Sequence, residues 1–139
     1  MVELITVLPT SGTFVVARLD GTRMADAAQI FYDFSDALLF PSYFGWNWSA
    51  LSDCLRDLQW LPADGYLVII EDAPRILPES APERHTLFRV LAGVVDHWAS
   101  PLGQPAGKAV PFTVLLLCDR DEDAARLRQD IARALHDAR

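Results

Sequence analysis

The stretch YLVIIED, residues 66–72, is apolar from Tyr66 to Ile70 and closes on two acids. It does not alternate between an apolar and a polar face, so it suits a strand covered on both sides. FTVLLLC, residues 112–118, has the same character. TFVVARL, residues 13–19, is a third short run, rich in β-branched residues. All three are far too short to span a bilayer. Three such strands, buried on both faces, call for helices on either side of a sheet.

The segments between them supply those helices. In RMADAAQIFYDFSDALL, the residues Ala27, Ile30, Phe34 and Leu38 recur at helical spacing, and Pro41 stops the pattern. A second helix begins after Asn47, a good N-cap, and carries Trp48, Leu51, Leu55 and Leu58 on one stripe. SAPE, residues 80–83, has the form of a capping box, and Leu87, Leu91, Val94 and Trp98 mark the helix that follows. PLGQPAG, residues 101–107, reads as loop. An additional C-terminal helix is expected over 121–138, with its acids first and its arginines after them, matching the helix dipole. The order is β-α-α-β-α-β-α, and the fold class is α/β with a small three-stranded parallel sheet packed with helices. Residues 1–10 contain ELITVL, which reads equally as an edge strand or an arm.

The chain has 139 residues, and 51% of them are hydrophobic. That is enough for one domain over 1–139 with a real core, and it argues against disorder. The N-terminus has an acid at position 3 and no basic region, unlike a secretory signal. Cys54 and Cys118 sit within apolar patterns and read as buried free thiols in a reducing cytoplasm. The net charge of −7 argues against direct nucleic-acid binding. It serves solubility, and it also produces a field that draws in a basic partner.

Enzyme signatures are missing from the sequence: there is no G-x-G-x-x-G, no P-loop, no G-x-S-x-G and no H-E-x-x-H. His85 and His97 would stand about 18 Å apart along one helix, too far to share a metal. Asp53 and Cys54 are neighbours on a helix and point about 100° apart, so they do not form a nucleophile with its carboxylate. Paired acids such as Glu71 and Asp72, at a strand's C-terminal end, have the form of a Mg²⁺ or acid/base site, and they read first as a strand end meeting solvent. No cofactor, metal or catalytic residue is expected.

The remaining feature is FPSYFGWNWSALSDCL, residues 40–55, where four rings crowd around Gly45 and Asn47. With Trp48, Leu51 and Leu55 turned inward, Ser49, Ser52, Asp53 and Arg56 fall on the outward side. Ser49 and Asp53 are an i, i+4 pair. Gly45 is expected to give the loop its conformational freedom, and Tyr43 and Trp46 to flank Asp53. An exposed carboxylate on a rigid helix, rimmed by rings and hydroxyls, suits a cationic pocket in a partner.

These residues resemble the signature of the barstar family, intracellular inhibitors of ribonucleases. That signature sets Tyr-aromatic-Gly-x-Asn ahead of a helix bearing Ala-Leu-x-Asp-Cys-Leu. Tyr43, Gly45, Asn47, Ala50, Leu51, Asp53, Cys54 and Leu55 match it position by position. The resemblance implies a barstar-like fold and a mechanism of steric blockage. Asp53 would occupy the place of a substrate phosphate among the nuclease's Arg, Lys and His, Tyr43 would pack over the catalytic His, and Asn47 would fix the loop or touch the enzyme. The sequence departs from the pattern at Ser49, where the family commonly has a second Asp, and at Ser52, where it often has an aromatic. It departs again at Trp46, where a charged or polar residue is usual. Asp96 is the expected counterpart of an acid late in the family's fold. The implied partner is a basic secreted ribonuclease or a co-encoded nuclease toxin, with no membrane involved and the inhibitor acting in the cytoplasm. The competing readings are a barstar-fold immunity or binding module directed at a non-ribonuclease protein, and a small enzyme using Glu71, Asp72 or a histidine.

Overall fold

The computed structural model describes residues 2–3, 12–100 and 110–137. The elements are β1 (Val2–Glu3), β2 (Phe14–Asp20), α1 (Ala27–Ala37), α2 (Trp48–Asp57), β3 (Gly65–Glu71), α3 (Ala81–Ala99), β4 (Phe112–Leu116) and α4 (Asp121–Asp137). Short 3₁₀ turns follow β2 and β3, at Gly21–Arg23 and Ala73–Arg75. The sheet runs β1-β4-β3-β2. Strands β2, β3 and β4 are parallel, as expected from their alternation with helices. In the undecided N-terminal segment, Val2–Glu3 pairs antiparallel with the β4 edge. Its remaining residues, and the expected loop at 101–107, lie outside the described residues.

Strand β3 sits between β2 and β4, and Tyr66, Val68, Ile69 and Ile70 are buried. Here a continuous apolar run meets a fully covered strand. β2 differs from its expectation: Ala17 and Leu19 are buried while Val16 is 54% exposed. It alternates because it is an edge strand with one open face. Its β-branched composition reports strand conformation but not coverage.

Helix starts follow the sequence closely. Asp26 Oδ1 accepts from the Gln29 N–H at 2.8 Å, and Ser80 Oγ accepts from the Glu83 N–H at 3.3 Å. α2 ends at Leu58, which takes a left-handed conformation (φ 50°) usually reserved for glycine. Its side chain is fully buried, so packing offsets the backbone cost. One apolar core extends from Ala17 on β2 to Ala134 on α4. α3 packs against both α2 and α4. Trp98, near its C-terminal end, donates its indole N–H to the Leu55 carbonyl at 2.8 Å, a buried bond that ties α3 to α2. Both cysteines are free thiols; Cys54 is buried, whereas Cys118 is only half-buried because it lies beyond the end of β4.

Candidate functional site

Asn47 sets the site. Its Oδ1 accepts from the Ala50 N–H at 2.8 Å and caps α2, while its Nδ2 donates back to the Gly45 carbonyl at 3.2 Å. One side chain thus joins the loop to the helix it precedes. The left-handed residue of the loop is Trp46 (φ 54°), not Gly45. Gly45 serves instead by its small size, since a Cβ there would stand 3.3 Å from that of Ala50. Loop and helix can then close up without a side chain between them.

The rings of 40–48 divide between inside and outside. Phe44 is buried and meets Phe40 at 4.9 Å between centroids and Phe31 at 6.4 Å. Trp48 is half-buried against Phe31 at 4.9 Å. Trp46 leans on Phe44 at 4.9 Å yet stays 53% exposed, and Tyr43 is 66% exposed. The buried rings hold the two exposed ones in place.

Around Asp53 the residues of α2 fall into three strips. Asp53 is exposed and central, with neither ion pair nor hydrogen bond among the described residues. On one flank lie Cys54 and Asp57, both electrostatically close to Tyr43. Desolvation of the Tyr43 hydroxyl, then Asp57 and Cys54, push the phenol above its ordinary value even though the ring is largely exposed. It therefore remains a neutral donor at physiological pH. Burial, then Asp57 and Asp53, likewise push the Cys54 thiol up. On the other flank Ser49, Ser52 and Arg56 face α3. Arg56 Nε donates to Ser52 Oγ at 3.1 Å. With Arg89, Thr86 and Gly93 of α3 they line an open groove of about 310 Å³.

The structure places Tyr43 near Cys54 and Asp57 on one flank of α2, Ser49, Ser52 and Arg56 along the groove on the other, Gly45 and Asn47 together at the helix start, and Trp46 exposed against Phe44. Asp96 stands apart: it is exposed on α3, a turn beyond Gly93, with no bond to the α2 residues. Sequence reading missed Asp57, Thr86 and Arg89. The one available signal was Gly93, a glycine inside a long helix, where it costs about 1 kcal/mol relative to alanine. The gap it leaves is filled by Arg56: a Cβ at 93 would stand 2.7 Å from Arg56 Nη2.

Alternative chemistry finds little here. Glu71 is ion-paired with Arg18 at 3.0 Å, and Asp72 occupies a left-handed turn (φ 50°). His85 meets Asp137 at 2.9 Å. Among the described residues no three His, Cys, Asp or Glu side chains converge to hold a metal, and no helix is long and apolar enough to cross a membrane.

Residues 14–117 match the family described as Barstar (barnase inhibitor). The chain belongs to the barstar family. The match runs from the first residue of β2 to just past β4, and it includes the aromatic loop, α2 and α3. The family's members are protein-binding inhibitors rather than enzymes. No curated protein matches the chain.

Proposed function

We propose that this barstar-family chain, folded as one domain, blocks the active site of a basic ribonuclease or nuclease toxin. Tyr43 and the 45–47 loop enter the cleft together with the outer face of α2. Asp53 takes the place of a substrate phosphate among cationic groups of the enzyme. The observation that carries this reading is Asp53 itself, an exposed carboxylate with no ion pair or hydrogen bond among the described residues, on a helix held at both ends. The Asn47 cap holds one end and the Trp98 bond the other. A rigid, unneutralised charge loses little on docking, and the cationic pocket it enters supplies the counter-charge. Tyr43 adds a ring with a neutral hydroxyl beside it. Such an inhibitor needs no cofactor and performs no turnover. It acts in the reducing cytoplasm, where Cys54 and Cys118 persist as thiols.

The test is inhibition of RNA cleavage across a panel of basic nucleases, including barnase and any nuclease encoded beside this chain. We expect stoichiometric inhibition of at least one, lost in Asp53→Ala. Tight binding without inhibition would instead support a binding module aimed at another protein surface. Failure to bind any member of the panel would defeat the proposal.

A further inference from the structure

Arg56 and Arg89 line the same groove between α2 and α3, and among the described residues neither meets a carboxylate. Arg18, Arg23, Arg84, Arg120, Arg126 and Arg133 have acidic partners, whereas Arg75 and Arg128 have none among the described residues; of the unpaired arginines, Arg56 and Arg89 are the two that share a groove. In a chain with net charge −7, carboxylates are the commoner charge, yet none reaches this pair. Nor is Arg56 a loose surface side chain. Ser52 Oγ holds its Nε, and the missing side chain at Gly93 leaves room for its Nη2 against α3. Among the described residues its outer N–H groups have no hydrogen-bond partner, and neither has the guanidinium of Arg89. The hydroxyls of Ser49 and Ser52 add further donors at the rim, since Thr86 already gives its proton to the Pro82 carbonyl.

We propose that this groove receives an acidic side chain, Asp or Glu, of the protein that the α2 face binds. The inference rests on the proposed inhibitor function and sharpens it: the partner surface is not uniformly basic. It presents a cationic pocket for Asp53 and, less than two helical turns away, a carboxylate for the Arg56–Arg89 pair. Guanidinium groups suit this role because their planar donors match a carboxylate in bidentate geometry. The groove also selects. A basic protein without the facing acid would bring positive charge against two arginines, a repulsive element that excludes it.

Two kinds of experiment test this, one with a nuclease and one without. Arg56→Glu together with Arg89→Glu makes the chain more negative still. If attraction to a basic enzyme were only a matter of overall charge, binding would tighten. The groove predicts the opposite sign: affinity for an inhibited nuclease falls about tenfold or more, and part of it returns when the facing acid is changed to Lys. Circular dichroism and melting confirm the fold, and Gly93→Ala, which displaces Arg56 without altering charge, should also weaken binding. Unchanged or tighter binding by the double variant overturns the proposal. Asp53→Ala is read separately, so failure of the phosphate-mimic role does not disguise failure of the groove. Without any nuclease, the arginine Nε–H signals are followed by NMR while a glutamate-rich peptide or inorganic phosphate is added. Shifts of Arg56 and Arg89 with the peptide, lost in the double variant, support the proposal. Shifts with phosphate alone would assign the groove to a phosphate ligand instead, and shifts with neither would overturn it.

Discussion

Along α4 most of the charges answer one another. Arg126 lies 3.8 Å from Asp123, Arg133 3.9 Å from Asp130, and Asp130 also takes Arg84 of α3 at 3.4 Å. Along the outer face of α2, among the described residues, Asp53 has no ion pair or hydrogen bond and Arg56 hydrogen-bonds the Ser52 hydroxyl without meeting a carboxylate. Both helices bury an apolar stripe, Leu51, Cys54 and Leu55 on α2 and Ala124, Leu127, Ile131 and Ala134 on α4. The difference is therefore not in how they are anchored but in what remains on the outside. A charge that already has a neighbour gains little from a second protein, whereas a held and unpaired one keeps its full electrostatic interaction available. Surface pairs such as those of α4 are worth at most about 1 kcal/mol each, so they are poor reasons for stability and good signs of a face with no partner.

The comparison breaks most visibly at the inner stripes, where the two helices should behave alike. Leu51→Ala and Leu127→Ala should each lose roughly 2–5 kcal/mol of stability by opening a core cavity, read from urea or thermal melts. A helix whose leucine truncates at no cost is not anchored as described. On the outer faces the helices should part. Asp53→Ala is expected to cost about 2 kcal/mol or more of affinity for the inhibited nuclease, with stability within about 0.5 kcal/mol of wild type. Asp130→Ala should lose up to about 1 kcal/mol of stability and leave the affinity untouched. Titration calorimetry on both variants would show whether binding follows the unpaired charge. Removing the cap by Asn47→Ala should cost about 1 kcal/mol of stability and also loosen the loop, so affinity should fall with it; a loss of stability alone would place the 43–46 loop outside the interface.

Two smaller effects concern ions. Association should be fast at low salt and slow as salt rises, because the Debye length shrinks to about 8 Å at physiological ionic strength. Stopped-flow rates that ignore salt would remove steering from the mechanism. The other effect is internal to α2. Burial, with Asp57 and Asp53 nearby, raises the folded thiol of Cys54 above its unfolded value. The folded state then holds that proton more tightly. Its contribution is complete below the unfolded thiol value of about 8.5 and is lost as pH climbs through the raised one. Wild type should therefore lose slightly more stability between neutral and alkaline pH than Cys54→Ala does, and a thiol reagent should modify half-buried Cys118 before Cys54.

Much of this was legible in the sequence. The unbroken apolar run in β3 read as a covered strand and is one, and Asn47 read as a cap and is one. Leu51 and Leu55 faced inward and Asp53 outward, as periodicity required. Legibility failed where neighbours from elsewhere decide the outcome. Val15 and Val16 look as apolar as β3, yet β2 is an edge strand, and nothing within 13–19 says which strand lies at the edge. Gly45 looked like the flexible residue of the loop, but the left-handed turn falls on Trp46, whose ring is steadied there by Phe44.

The sequence by itself determined the alternation of strands and helices, the start of α2, and the outward carboxylate at its centre. Each of these depends on hydrogen bonds and side-chain directions set within one or two turns of chain. Tertiary structure alone decided that α3 lies beside α2, bringing Arg89 to the groove that holds Arg56, and that Arg18 lies across from Glu71 and binds it. Those meetings join residues far apart in the chain. Which of them occur depends on which apolar faces pack together, and that is settled by the whole core rather than by the residues that meet.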